Sequence, residues 1–254
     1  MHDLSNGVEF SDRMHPLMGE RAKMDETVSA HLRSFGRRRG RALSPRQQQL
    51  MNDLLPKLAL DISQPSPENL NVLFPAGVRE VWLEIGFGGA EHLIWQAEHN
   101  PSVGLIGCEP FEDGVVKALS AIEEKDLTNV RLYVDDARDV LSWLPDHSID
   151  RTFILFPDPW PKKRHHKRRL VSPSLIAELA RVMSPGAELR IGTDIGDYAR
   201  TILIALQANP AFTWQASAPG DWRVRPSDWP QTRYEAKAHR EKRRCYFFRF
   251  VRNA

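Results

Sequence analysis

Residues 81–93 read VWLEIGFGGAEHL. An apolar run carrying a single acid enters a glycine turn and continues into a stretch of helical composition. A run of that kind is a strand covered on both faces. Gly86, Gly88 and Gly89 allow the backbone to approach a ligand closely. In an open α/β sheet, ligands bind beyond the carboxyl ends of the strands, where this first strand-to-helix turn lies. A dinucleotide fingerprint is excluded, because Glu91 occupies the place of the third glycine in GxGxxG. No Walker Lys–Ser/Thr pair follows it.

Working outward, short apolar runs at 78–85, 102–109, 129–134, 149–156 and 187–193 alternate with amphipathic stretches around 89–100, 111–125, 137–144 and 172–183. That alternation predicts an α/β fold with a parallel sheet covered on both faces. After Thr193 come a helix at 196–208, a strand near 212–216, a Trp- and Pro-rich loop and a last strand at 245–251. Upstream, Ser44-Pro45 reads as an N-cap followed by a proline at the first helical position. SQPSPENL (63–70) is a linker. There is no internal repeat and no second core. The expected organisation is a mobile tail at 1–30 and a single domain at 31–254, with a basic N-terminal extension at 31–77.

The chain of 254 residues is 41% apolar and 27% charged, ordinary for a soluble globular protein. It carries no run of membrane-spanning length and no hydrophobic signal core, so a cytoplasmic protein is expected. Cys108 and Cys245 lie outside any CxxC pattern, which predicts a reducing compartment and no Cys-rich zinc site. His165 and His166 have no acid at metal-ligand spacing, so no metal is expected. Net charge is +2, but basic residues gather at Arg33–Arg46, Lys162–Arg169 and Lys237–Arg244. Three such clusters suit a polyanion, although each alone also fits a solvated face.

Three acids fall at successive strand ends. Glu84, before the glycine turn, would repel a pyrophosphate but attract an ammonium group. Glu109 can accept both hydrogen bonds from a ribose diol. Asp136 is placed to accept from an adenine amino group, with Asp135 as its competitor. Together they suit a ligand with ribose, adenine and a cationic amino-acid tail and no phosphates, as in S-adenosylmethionine. The alternative is that they are helix N-cap and first-turn acids.

FPDPWPKKRHHKRR (156–169) leaves the fourth predicted strand on the same sheet edge. Pro157, Pro159 and Pro161 fix φ and bias Phe156, Asp158 and Trp160 towards extended backbone. Residues two apart then point the same way, so Asp158 and Trp160 are expected side by side. A carboxylate can accept from guanine N1–H and its amino group while an indole stacks on the base. The run Lys162–Arg169 would grip flanking phosphates. A rigid strand exit followed by a soluble loop is the plainer reading of the same residues.

Taken together, LEIGFGGAEHL, PDPWPKKRHHKRRL, GTDIGDYA and TRYEAKAHR resemble the bacterial tRNA (guanine-N7-)-methyltransferases, the TrmB family, from about Arg33 to the C-terminus. The resemblance implies a seven-stranded, mostly parallel, Rossmann-like class I S-adenosylmethionine-dependent methyltransferase fold. It implies tRNA as partner and N7 of the guanine at position 46 of its variable loop as target. Cofactor contacts would come from Glu84, Gly86, Gly88, Glu109, Asp136 and Asp158, with Asp158 also catalytic. Trp160, Lys162, Asp194, Thr232, Arg233, Tyr234 and Glu235 would line the substrate site, and Arg164, His165, His166, Lys167, Arg168 and Arg169 would contact RNA. Pro161 departs from the polar residue expected there. Guanine N7 carries a free lone pair, so no general base is required. A catalytically silent RNA-binding subunit and a methyltransferase for another acceptor are the competing readings. Monomer and homodimer are left open.

Overall fold

The computed structural model describes Arg38, Gly40 and residues 42–254. The tail expected at 1–30, and residues 31–37, 39 and 41 of the basic extension, lie outside these residues. The described residues fall in one compact unit, Ser34–Ala254.

Helix α1 (Pro45–Asp53) starts in a capping box, with Gln47 N–H donating to Ser44 Oγ at 3.3 Å and Ser44 N–H donating to Gln47 Oε1 at 2.9 Å. Pro56 lacks the donor that would continue this helix, and the chain breaks into the single turn α2 (Leu55–Leu58).

The strands are β1 (Glu80–Ile85), β2 (Val103–Cys108), β3 (Val130–Tyr133), β4 (Ile149–Leu155), β5 (Met183–Thr193), β6 (Phe212–Trp214) and β7 (Tyr246–Arg252). They form one seven-stranded sheet in the order β3-β2-β1-β4-β5-β7-β6, parallel through β5 and antiparallel at β7. The predicted strands are present. β5, however, begins at Met183 rather than Ala187, with a left-handed Gly186 (φ 86°) and a register shift opposite Ile149 and Arg151.

The helices are α3 (Glu91–His99), α4 (Glu112–Glu124), α5 (Ala137–Trp143), α6 (Pro173–Val182), α7 (Gly196–Gln207), α8 (Gly220–Arg223) and α9 (Arg233–Arg240). Strand alternation divides the core into two layers. Val81, Leu83 and Ile85 pack with Ile106, Ile154, Leu189 and Phe250 on one face. Trp82 packs with Leu105, Leu132, Phe153 and Phe247 on the other. Among the described residues no helix is long and apolar enough to cross a membrane.

Strand order reverses between β1 and β4. The chain runs outward through β2 and β3, then returns to place β4 and β5 on the other side of β1. In open α/β sheets the crevice that holds a ligand lies at such a switch point, beyond the carboxyl strand ends. The glycine turn leaves β1 there, and the proline loop leaves β4 beside it.

Candidate active site

Gly86 (φ 76°), Gly88 (φ 54°) and Ala90 (φ 65°) make the left-handed turn from β1 into α3. A Cβ on Gly86 would meet nothing within 4 Å, so the space in front of this residue is open. Behind it the turn is tightly held. A Cβ on Gly88 would lie 2.9 Å from Tyr234 Cε2, one on Gly89 would lie 2.3 Å from Arg233 Cζ, and one on Gly114 would lie 2.2 Å from the Gly88 carbonyl. The start of α4 supports the turn from one side, and the start of α9 covers it from another.

Glu109 follows β2 and is buried. Gly88 N–H donates to its Oε2 at 2.8 Å and Phe111 N–H to its Oε1 at 3.0 Å. Burial pushes this carboxyl above the usual range, opposed by the two N–H donors, and the charges of Asp158 and Glu84 push it further up. Each oxygen keeps a second lone pair, enough to accept a diol.

Glu84 is the penultimate residue of β1, so the pleat turns it into the layer that holds Trp82 and Phe153. It is 2% exposed, and its Oε2 lies 2.8 Å from His92 Nδ1 on α3. The His92 ring packs on Phe153 at 4.4 Å and Trp229 at 5.7 Å. Gln96 Nε2 lies 3.1 Å from His92 Nε2 and donates to the Asp228 carbonyl at 2.9 Å. A carboxylate in an apolar layer needs such a partner. Sequence reasoning missed His92, although the pairing of a buried strand acid with a histidine on the inner face of the next helix was there to be seen.

Asp136 caps α5: Arg138 N–H donates to its Oδ1 at 3.1 Å, and Arg138 Nη1 to its Oδ2 at 2.8 Å. Asp135 is engaged by Arg38, whose Nη1 and Nη2 donate to it at 3.1 and 2.5 Å. The capping alternative therefore describes Asp136, while Glu109 caps nothing.

The proline loop corrects one expectation. Phe156 (φ 53°) and Trp160 (φ 43°) adopt left-handed backbone rather than extended. The inverted φ at Trp160 also removes the period-two reason for placing Asp158 and Trp160 on one side. Such conformations in bulky residues cost about 1–3 kcal/mol each and persist only where surroundings enforce them. Phe156 N–H donates to the Gly192 carbonyl at 2.7 Å, and its ring sits edge-on to Phe247 at 6.4 Å. The Trp160 ring lies beneath the Arg168 guanidinium at 5.0 Å and beside His165 at 5.9 Å. Between these two residues Asp158 is exposed. Burial raises Tyr234 and Tyr198, and the charge of Asp158 adds a smaller push to both and to the buried Glu109. Both carboxylates stand just past the carboxyl ends of their strands, Glu109 after β2 and Asp158 after β4.

Lys163–Arg168 form a short 3₁₀ turn, with Lys162, Arg164 and Lys167 exposed. Desolvation, then the cations Arg168, Arg164, Lys162 and Lys167, hold His165 below the usual histidine range. Arg169 differs from its neighbours in being 4% exposed. Its guanidinium holds Asp197 below the usual carboxylate range by hydrogen bonding.

The TRYE stretch divides. Thr232 Oγ1 accepts from Glu235 N–H at 3.3 Å and caps α9. Glu235 is buried, and its Oε1 accepts from Arg225 Nε at 3.2 Å. Burial raises its carboxyl, against the pull of Arg225. Arg233 pairs with Glu91, and Tyr234, 45% exposed, lies over Gly88. Asp194 follows β5 and accepts from Arg243 Nε at 2.8 Å.

A family described as "Putative methyltransferase" matches residues 78–248. The chain is 52% identical over 206 residues to a tRNA (guanine-N(7)-)-methyltransferase of Hyphomonas neptunium, covering 81% of this chain and 93% of that protein. A protein of the same name from Rhodospirillum rubrum is 47% identical over 232 residues, 90% of this chain and 91% of the relative. Among solved structures, TrmN from Thermus thermophilus superposes with a TM-score of 0.50 at 17% identity, over 72% of this chain and 47% of that chain. That likeness is one of fold.

Proposed function

The chain belongs to the tRNA (guanine-N(7)-)-methyltransferase family, and we propose that it methylates N7 of the guanine at position 46 in the tRNA variable loop, with S-adenosylmethionine as donor. The observation that carries this reading is the pair of carboxylates flanking the β1/β4 switch point. Glu109 stands just past the end of β2 and the exposed Asp158 just past the end of β4, on either side of β1.

The residues present fit the cofactor. Gly86 opens onto free space, and Glu109 is fixed by two backbone donors with lone pairs to spare. In this reading Glu109 takes the ribose hydroxyls, Gly86 and Gly88 admit the amino-acid portion near Glu84, and Asp136 lies towards the adenine. When bound, S-adenosylmethionine supplies an electrophilic methyl group on a sulfonium.

This chain's residues then position the base. Guanine N7 is unprotonated, so Asp158 acts without removing a proton from it. It orients the base at near-attack distance and opposes the positive charge that develops on the purine. Trp160, Lys162, Asp194, Arg233 and Tyr234 border the base, with Thr232 and Glu235 holding α9 in place. Arg164, His165, His166, Lys167 and Arg168 meet phosphates, and tRNA as substrate places the enzyme in the cytoplasm. The test is incubation with methyl-labelled S-adenosylmethionine and tRNA, followed by nucleotide mapping. Label in N7-methylguanosine at position 46 is expected. Label in another nucleotide, or none in tRNA, refutes the reading.

A further inference from the structure

The basic run after the proline loop reads as a set of phosphate contacts, yet its last member is turned inward. Arg169 Nε donates to the Pro159 carbonyl at 3.0 Å. Nη1 donates to Thr201 Oγ1 at 3.0 Å, and Nη2 donates to Asp197 Oδ2 at 2.6 Å. Nη2 also lies 3.1 Å from His166 Nε2. The guanidinium plane covers the Tyr198 ring at 4.7 Å, and the Tyr198 hydroxyl accepts from Val171 N–H at 3.0 Å.

Every one of these anchors except Pro159, His166 and Val171 belongs to the first turns of α7. Asp197 and Thr201 are one helical turn apart and share a face. Thr201 Oγ1 donates in turn to the Asp197 carbonyl at 3.0 Å. On the other side, Pro159 directly follows Asp158. The three prolines strip this stretch of backbone donors, so the loop has little means of fixing itself. The left-handed Phe156 and Trp160 bracket the same residues.

We propose that Arg169 is a positioning residue for methyl transfer, a tie from α7 to the Pro159 carbonyl that fixes Asp158 at the crevice, and not a contact to tRNA. The inference rests on the function proposed above. An arginine suits the task because its planar fork serves several acceptors at once, whereas a lysine offers a point charge. Removing the fork frees the segment that carries Asp158 while leaving the cofactor side of the crevice intact.

The full-length protein tests this through steady-state kinetics at saturating cofactor and tRNA, cofactor titration, and the salt dependence of tRNA binding. For Arg169→Ala, kcat should fall about 100-fold, the cost of a small misplacement of a reacting group. The cofactor dissociation constant and the slope of log K against log salt should stay at wild-type values. Arg169→Lys and Asp197→Asn, milder changes that guard against a variant failing to fold, should also lower kcat and leave that slope unchanged. Lys167→Ala should instead reduce the slope by roughly 0.7–0.9, one phosphate contact. The tie is overturned if Arg169→Ala reduces the slope by that amount with kcat intact, or if Arg169→Lys keeps full kcat. It is also overturned if kcat survives in all three variants and only the melting temperature drops. A wild-type enzyme that transfers no methyl to tRNA defeats the functional reading and the tie together, whereas an active wild type with unimpaired variants defeats the tie alone.

Discussion

Replacing Glu109 by glutamine perturbs the crevice with almost no change of shape. The carboxylate accepts from Gly88 N–H and Phe111 N–H, one to each oxygen. The introduced amide offers one acceptor and one donor group, so in either orientation one backbone N–H faces an N–H. Leaving a buried donor without a partner costs about 1–3 kcal/mol. Part of this is returned, because the change removes a charge that Asp158 and Glu84 disfavour. A net loss of about 1 kcal/mol lowers the melting temperature of a domain this size by roughly 2–4 °C. Cofactor binding loses more. Hydrogen bonds to a charged acceptor contribute about 1.5–3 kcal/mol each, and the amide can accept from only one hydroxyl of a ribose diol. Affinity should therefore fall roughly 10- to 100-fold. Calorimetric titration with S-adenosylhomocysteine, alongside thermal unfolding, reads both numbers. An unchanged dissociation constant would show that Glu109 does not hold the ribose. An unchanged melting temperature would show that the two backbone donors do not depend on it.

The same carboxyl sets a pH dependence. Burial raises its folded pKa above the model-peptide value, so the native state holds this proton more tightly than the unfolded chain does. Its contribution is present below the unfolded pKa and is lost as pH rises through the folded one. The stability gap between wild type and Glu109→Gln should therefore widen as pH is lowered from 8 to 5, and a constant gap in thermal melts contradicts the assigned shift. His92→Phe leaves Glu84 buried without its partner, which should cost about 3–5 kcal/mol in chemical denaturation. The double change Glu84→Leu with His92→Phe should cost less than the single one, and the reverse order would show that the pair is not coupled. Asp158→Ala should abolish methyl transfer while S-adenosylhomocysteine still binds, and a fully active variant removes Asp158 from the reaction.

The parallel half of the sheet was legible because strands covered on both faces are continuous apolar runs. VWLEI and VGLIGC fall within β1 and β2. Glu109 was legible for a related reason, since it stands just past the end of such a run. Glu84 stands one residue inside the end, and the pleat decides its environment, so its partner on α3 went unread. The proline loop misled for a different reason. The bias of residues before proline is a local preference, and at Phe156 and Trp160 it gives way to tertiary contacts with Gly192, Phe247 and Arg168. Eight polar residues in a row do not reveal which one turns inward. The hint lay in position, because Arg169 adjoins Leu170-Val171, where the next apolar segment begins.

β1 and β4 are neighbours in space, joined by the parallel pairing of Trp82 with Arg151, Leu83 with Thr152 and Glu84 with Phe153. Apart from Asp158, every residue assigned to the methyl donor hangs from the β1–β3 side of that seam, and the loop assigned to the acceptor base hangs from the other. The spacing between donor and acceptor is thus an inherited quantity, set by a short ladder of amide hydrogen bonds and not by either ligand. A slip of one residue would move the two sides by about 3.3 Å, a whole contact distance in a reaction that tolerates far less. The coarse alignment for the chemistry is accordingly settled when the two strands zip together, before any tRNA arrives, and the Arg169 tie has only the remaining loop to fix.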